Sequence, residues 1–277
     1  MSTKNFLITG VSQGLGRAFA EAALAAGHTV IGTVRNQAAR EDFEALAPGR
    51  ATALILDVTD FAAVEAVIGQ VDQDAGGIDV LVNNAGYGHE GILEESPLDA
   101  LLHQFGVNVF GAVAMIKAVL PGMRTRRRGH IINISSMAGL AALPGIAYYS
   151  GSKFALEGIS EVLAQEVRDF GIHVTALAPG SFRTEWAGKS MIRSDRSIAD
   201  YDALFAPVRR ARELKSGRQA GDPTKAAKVL LDLVEAEHPP VHLILGGDAL
   251  QLVRDRTRAL LAEFDVWEEV SRSTDFD

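Results

Sequence analysis

Short runs of Val, Ile and Leu alternate along this chain with longer stretches whose apolar residues recur every three or four positions. The runs at 6–9, 29–34, 53–56, 80–82, 130–134, 173–178 and 241–245 predict strands. The segments 15–26, 38–46, 61–75, 98–123, 148–170 and 224–237 predict helices. Strands rich in Val, Ile and Leu, each followed by a helix, belong in a parallel sheet covered on both faces. With right-handed crossovers, the simplest topology is a doubly wound parallel α/β sheet of about seven strands. The rhythm breaks at residues 181–221, a long insertion between a strand and the next helix. Connections of that length are usually functional lids or carry helices of their own. The chain thus reads as a single domain over 1–277, with a helical lid insertion at 181–221 and a charged, amphipathic C-terminal extension at 249–277.

Composition narrows the chemistry. With 277 residues, 47% of them hydrophobic, there is enough apolar surface for one sizeable core. A net charge of -8 argues against nucleic acid or an anionic membrane as partner. The absence of cysteine excludes disulfides, thiol catalysis and thiolate metal sites. Seven scattered histidines show no metal-ligand spacing, so no metal is expected. The apolar tract 106–123 carries Asn108 and Lys117, which favours a buried helix over a membrane span. The first residues enter a strand-like run without a basic-then-apolar leader, and a cytoplasmic location is the expectation.

Two motifs carry chemistry. In Tyr149-Ser150-Gly151-Ser152-Lys153, a helix sets the phenol and the ammonium on one face. An ammonium held beside a phenol lowers its pKa from about 10, which suits proton exchange with an alcohol near neutral pH. The second motif, Thr9-Gly10-Val11-Ser12-Gln13-Gly14-Leu15-Gly16, lies between the first strand and an alanine-rich helix. Glycines let the backbone turn sharply against a pyrophosphate, and the helix N-terminus offers free N–H groups to it. The spacing Gly-x-x-x-Gly-x-Gly departs from the commoner Gly-x-Gly-x-x-Gly fingerprint.

With these residues assembled, the chain resembles the short-chain dehydrogenase/reductase family, a Rossmann-like fold, from about Asn5 to Leu245. The glycine motif matches the family's Thr-Gly-x-x-x-Gly-x-Gly. So do Asp57, Asn83-Asn84-Ala85-Gly86, Asn108, Ser136, Tyr149 with Lys153, and Pro179-Gly180 followed by Thr184, all in the family's order. The resemblance implies that Tyr149 is the general acid or base and that Lys153 tunes it and binds the nicotinamide ribose. It implies that Ser136 donates to the substrate oxygen and that Asn108 supports a water-linked proton relay. Ser135 is the neighbour that could be confused with Ser136. For the cofactor it points to Gly10, Ser12, Gln13, Gly14, Leu15 and Gly16 at the turn. Asp57 and Val58 fall at the adenine, Asn84, Ala85 and Gly86 along the adenosine side, and Pro179, Gly180, Phe182 and Thr184 at the nicotinamide end.

The end of the second strand predicts which dinucleotide. NAD-preferring relatives place a carboxylate there, whereas this chain runs Val34-Arg35. An arginine holds a 2′-phosphate through charge-assisted hydrogen bonds, so Arg35 points to NADP(H), with Arg17 as a possible second contact. The implied activity is hydride transfer between NADP(H) and a ketone, aldehyde or secondary alcohol of moderately apolar character. The alternatives are a lyase, epimerase or dehalogenase on the same scaffold, or a non-catalytic NADP-binding regulator. The resemblance also implies a homodimer or homotetramer built on the helices near 98–123 and 148–170.

The insertion mixes Trp186, Met191, Ile192, Tyr201, Leu204 and Phe205, which could roof an apolar pocket, with nine Lys/Arg against five Asp/Glu over 183–218. A solvated basic face is one reading; an anionic substrate met by Arg193 and Arg196 is the other. Tyr87, His89, Leu140, Leu143 and Tyr148 are candidates for the pocket wall. Arg124, Arg126, Arg127 and Arg128 read as cations placed against a helix C-terminus.

Overall fold

The computed structural model describes residues 3–184, 188, 190–215 and 217–276. Its centre is a seven-stranded sheet made of β1 (Asn5–Ile8), β2 (Thr29–Val34), β3 (Ala51–Ile55), β4 (Val80–Asn83), β6 (Gly129–Ile134), β7 (Ile172–Pro179) and β9 (His242–Leu245). The strands run in the order β3-β2-β1-β4-β6-β7-β9, with every pairing parallel. Order reverses between β1 and β4, where sheets of this kind form a crevice beyond the carboxyl ends of their strands.

Side chains alternate across the sheet, as a two-residue period requires. Phe6, Ile8, Val80, Val82, Ile132 and Leu177 meet Phe19, Ala20 and Leu230 from α1 (Gly14–Ala25) and α8 (Pro223–Val234). Leu7, Leu81, Ile131 and Val174 point the other way, into Val64, Ile68, Met115, Val119 and Leu163. Those side chains come from α3 (Phe61–Asp74), α5 (Ala112–Arg126) and α6 (Ala147–Val167). Burial of each such Leu, Ile or Phe contributes about 1.5–3 kcal/mol, which is why both layers are held firmly. Asn36, Asp60 and Asp222 cap α2 (Gln37–Glu44), α3 and α8 through their side-chain oxygens. The first turn of α1 has neither a side-chain cap nor an acid.

Each expected strand and helix is present with ends shifted by a few residues, and two features depart from expectation. The predicted 98–123 helix is α4 (Leu98–Phe105), a π-helical turn (Gly106–Gly111) and α5 in continuous succession. This 29-residue stretch is long and apolar enough to cross a membrane, yet Met115, Ile116, Val119 and Met123 are spent on the core. At its π turn Gly111 lies so close to Val58 that a Cβ would stand 2.8 Å from Val58 Cγ2. A second, two-stranded parallel sheet was not expected: β5 (Gly88–Glu90) pairs with β8 (Met191–Arg193), joining the lid to the loop after β4. The lid also carries α7 (Asp202–Lys215), and the C-terminal extension is α9 (Gly247–Val266) followed by α10 (Glu268–Arg272).

The arginine cluster after α5 does more than face a helix dipole. Arg126 holds Asp72 through two nitrogens at 2.8 and 2.9 Å, Arg128 reaches Asp79 at 3.3 Å, and Arg127 lies over the Phe170 ring. These pairs tie α5 to α3 and to the start of β4.

Candidate active site

The glycine turn follows β1 at the crevice. Gly10 and Gly14 have φ of +72° and +64°, values that a side chain strains to adopt. At Gly16 a Cβ would stand 2.3 Å from Asn84 Nδ2 and 2.4 Å from Gly10 O, so the helix starts against bare backbone. The turn is braced from behind. Gly10 N donates to Thr33 Oγ1, Asn84 Nδ2 donates to Thr9 O and Gly10 O, and Asn84 N and Ala85 N donate to Thr9 Oγ1. The Asn84 side chain is therefore a strut for the turn, while Ala85 and Gly86 carry the backbone past it. Ser12 and Gln13 are exposed and Leu15 packs against the core.

This cradle fits a dinucleotide. Uncapped N–H groups and a positive helix end face the turn, with no acid in the first turn to repel phosphate. Arg35 stands exposed just beyond β2 and makes no ion pair among the described residues, although its field helps to hold down the Asp57 carboxyl. The main cause of that depression is hydrogen bonding from Thr59 N and Oγ1 to Asp57 Oδ1, at 2.9 and 2.8 Å. Val58 beside it is buried beneath the π turn. Arg17 is committed elsewhere, to Glu21 at 2.7 Å and Asp42 at 2.6 Å. Pro179 ends β7, and Gly180 passes so near Asp248 that a Cβ would be 2.6 Å from its Oδ1. Phe182 bridges to Gly221, and Thr184 Cβ lies 3.9 Å from where a Gly14 Cβ would be.

Ser136, Tyr149, Lys153 and Asn108 converge beside this cradle, all buried. The Tyr149 hydroxyl shares a hydrogen bond with the Ser136 side chain. Lys153 Nζ donates to Ile134 O at 2.7 Å and lies 5.7 Å from the Tyr149 ring centre. Ser135 takes no part in this meeting: its Oγ is buried without a partner among the described residues and faces Gly139. Asn108 Nδ2 donates to Tyr87 O and Ser152 Oγ, and its Oδ1 accepts from Tyr87 N. Its side-chain amide is thus used to fix the loop after β4 to α6. A Cβ on Gly86 would stand 3.0 Å from Asn108 Oδ1 and 3.7 Å from Lys153 Nζ, so this glycine forms the floor between cradle and catalytic cluster.

One electrostatic expectation is corrected. Burial pushes the Tyr149 phenol up to about 12, and the Ser136 hydrogen bond only moderates this. Burial also pushes Lys153 down to about 8, opposed by the carboxylate of Glu157. The cause is placement, since the ammonium is aimed at a backbone carbonyl while both groups have lost water.

Glu157 is a residue the sequence reading missed. It lies one helical turn beyond Lys153, buried, and its Oε2 meets His242 Nδ1 of β9 at 2.7 Å. The spacing Tyr149, Lys153, Glu157 repeats every four residues and was the available signal. A second hidden element is the chain of buried amides and hydroxyl in which Asn83 Nδ2 donates to Asn133 Oδ1 and Asn133 Nδ2 to Ser160 Oγ. It links β4, β6 and α6 beneath the site.

The lid is fastened by acids. Glu90 is buried on β5 and faces Arg212 at 3.2 Å, Arg193 at 3.4 Å and Arg209 at 3.7 Å. Glu95 accepts from Arg196 Nε, Ser197 N and Ile198 N at 2.6–2.7 Å. Burial acts to raise the Glu95 carboxyl, but these donors outweigh it and hold it near about 2. The expectation that Arg193 and Arg196 meet an anionic substrate is not supported, because acids of the loop after β4 engage both. Phe205 is buried against Gly145, with Arg196 over its ring, and Met191 is buried as well. Ile192 and Leu204 are exposed, Tyr201 donates to Glu94, and Trp186 lies outside the described residues. Of the expected wall, Leu143 packs against the cluster of Ala138, Ile146 and Tyr149. His89 stacks on Tyr148, whose hydroxyl donates to Ser96 O.

Comparison with known proteins agrees with this geometry. The family model described as short chain dehydrogenase matches residues 4–194. The Oxidoreductase BOA17 of Botryotinia fuckeliana is 37% identical over 97% of this chain and 98% of its own. A 3-ketodihydrosphingosine reductase of Bacteroides thetaiotaomicron is 37% identical over 89% of each. A short-chain dehydrogenase structure from Streptomyces avermitilis superposes with a TM-score of 0.93 at 42% identity, covering 99% of both chains. One from Burkholderia phymatum in complex with NAD gives 0.83 at 26% identity over 95% of both. With the glycine cradle, the Ser-Tyr-Lys cluster and these likenesses in agreement, the chain belongs to the short-chain dehydrogenase family of oxidoreductases.

Proposed function

We propose that this oxidoreductase reduces a moderately apolar ketone or aldehyde, or oxidises the corresponding secondary alcohol, with NADP(H). The observation that carries the reading is the buried meeting of Tyr149 hydroxyl and Ser136 side chain beside Lys153. Gly10, Gly14 and Gly16 would hold the pyrophosphate, Asp57 and Val58 the adenine, and Lys153 the nicotinamide ribose. When bound, the dinucleotide supplies or accepts the hydride. Tyr149 gives a proton from Oη to the substrate oxygen in reduction and takes one back in oxidation. Ser136 Oγ donates to the same oxygen and stabilises the charge that develops there. Lys153 keeps a positive charge next to the phenol while that proton moves.

The NAD in the Burkholderia relative means that the fold alone does not choose the dinucleotide. The choice here rests on Arg35, exposed at the end of β2 where a carboxylate would favour NAD. Substrate character rests on the apolar neighbourhood of Tyr149, where Leu143 joins the cluster of Ala138, Ile146 and Tyr149, and on the internal neutralisation of the lid arginines. The reductase from Bacteroides, named for a ketone substrate, is consistent with it. Leu102, Phe110 and Phe154 are exposed on the helices expected to pair subunits, which supports a homo-oligomer.

The test is to mix the purified protein with NADPH and a panel of aryl ketones, steroids and quinones and to follow loss of nicotinamide absorbance. Turnover that disappears in Tyr149→Phe is expected. Dinucleotide binding without turnover of any carbonyl or alcohol would overturn the reading in favour of a regulator.

A further inference from the structure

Glu157 is a carboxylate buried where the fold has little need of one. It sits on α6 one helical turn beyond Lys153, and only 5% of it is exposed. Its Oε2 meets His242 Nδ1 of β9 at 2.7 Å. An ionised carboxylate only accepts, so Nδ1 carries the hydrogen of this bond. Oε1 is buried and has no hydrogen-bond partner among the described residues. Tying α6 to β9 takes one acceptor and no charge, and a buried charge without full pairing is destabilising. The second oxygen and the charge therefore have a use other than the tie.

The order along α6 shows what that use is. Tyr149, Lys153 and Glu157 follow one another at four-residue steps, which places them in one row on the helix surface. The ammonium thus has the phenol one turn before it and the carboxylate one turn after it. Burial works against the Lys153 charge, and Glu157 works for it. Other titratable groups on the elements packed around α6 are engaged elsewhere. On β5, His89 bonds Ser194 and Glu90 faces three lid arginines. On α4, His103 lies beside the Tyr87 ring and Asp99 is exposed; on β7, His173 stands against the His130 ring. Arg168 and Asp169 follow the far end of α6, and Glu161, largely exposed, lies 3.9 Å from His242 Nε2.

We propose that Glu157, held in place by His242, is a positioning residue for Lys153: the pair keeps a negative charge one turn behind the ammonium, which stays charged beside Tyr149. What that charge is for rests on the function proposed above, but the coupling itself is read without turnover.

Lysine side chains isotope-labelled at Cε let each ammonium be titrated by NMR in the full chain, and Lys153→Met assigns the signal. In the parent that signal is expected to titrate at about pH 8, apart from the ordinary lysine value of about 10.4. Glu157→Gln keeps the shape and the acceptor for His242 and removes the charge, so the midpoint is expected to fall by about half a pH unit or more. His242→Leu is expected to lower it as well, because a dry carboxylate stripped of its donor sheds its charge by taking up a proton. His242→Asn restores a donor at that place and is expected to return the midpoint to that of the parent. Adding His242→Leu to Glu157→Gln is expected to change nothing further. A merely structural tie would lower Tm in the His242 variants and leave the midpoint alone. A midpoint that stays put in Glu157→Gln, or that stays or rises in His242→Leu, would overturn the proposal. If the shifts appear in a protein that turns over no carbonyl or alcohol, the coupling stands and the reading of function falls.

Discussion

The catalytic floor and the lid are held in place by different forces. Beneath Tyr149 and Lys153 the elements are joined by neutral hydrogen bonds and close backbone approach: Asn84 to the glycine turn, Asn83 to Asn133, and Asn133 to Ser160. The lid, one strand away, is held by carboxylates that reach it from the loop after β4, Glu90 to three arginines and Glu95 to Arg196. Neutral contacts of the first kind fix geometry to a fraction of an ångström and are insensitive to salt. Charge pairs of the second kind draw two segments together over distance and can be released together. A rigid floor under a releasable roof would suit the proton transfer proposed for Tyr149.

The comparison breaks most visibly at Tyr149. Tyr149→Phe removes the proton donor and leaves the packing, so kcat/KM is expected to fall by about 10²–10⁴ while Tm stays near that of the parent. Steady-state kinetics and calorimetry read the two halves of this statement. The next effect belongs to the roof. Glu90→Gln removes the carboxylate that three guanidiniums share, at a cost below the ~3–5 kcal/mol of a fully buried broken pair because they keep 23–34% of their exposure. Limited proteolysis within 190–215 is expected to quicken at least tenfold, while hydrogen exchange in the central sheet is unchanged.

Cofactor choice comes third. Arg35→Asp is expected to lower the ratio of NADPH to NADH efficiency tenfold or more, since a charge-assisted hydrogen bond contributes about 1.5–3 kcal/mol. A ratio that does not move removes Arg35 from the argument. The smallest effect sharpens the floor's electrostatics. Glu157 acts to raise the pKa of Lys153, so Glu157→Gln lowers it further below about 8, and the alkaline limb of the reductase pH profile is expected to move to lower pH. Because Lys153 is less basic folded than unfolded, the unfolded chain binds more protons between pH 8 and 10.5. Its contribution to stability therefore rises with pH across that window, which chemical denaturation at pH 8 and pH 10 can read.

The central sheet was legible because strands buried on both faces announce themselves as apolar runs, and the helices between them keep a regular period. The candidate site was legible from Tyr149 and Lys153 four apart and from the spacing of Gly10, Gly14 and Gly16. The small sheet was not, since Gly88-His89-Glu90 and Met191-Ile192-Arg193 are short, partly polar and a hundred residues apart. The same distance hid the lid's fastening: its arginines look unpaired in sequence because Glu90 and Glu95 come from another segment. The sign of the Tyr149 shift was missed because an i, i+4 spacing reveals a neighbour and says nothing of how far water is excluded.

The root of the lid touches the glycine turn, through Gln13 Nε2 on Ser190 Oγ at 3.2 Å and through Thr184 above Gly14. On the function proposed above, a dinucleotide entering the turn would displace or recruit those contacts before any carbonyl compound is enclosed. The expected consequence is an order of arrival, with nucleotide first to come and last to go, so that a competitor for the turn would slow the closing of the roof as well as the loading of the floor.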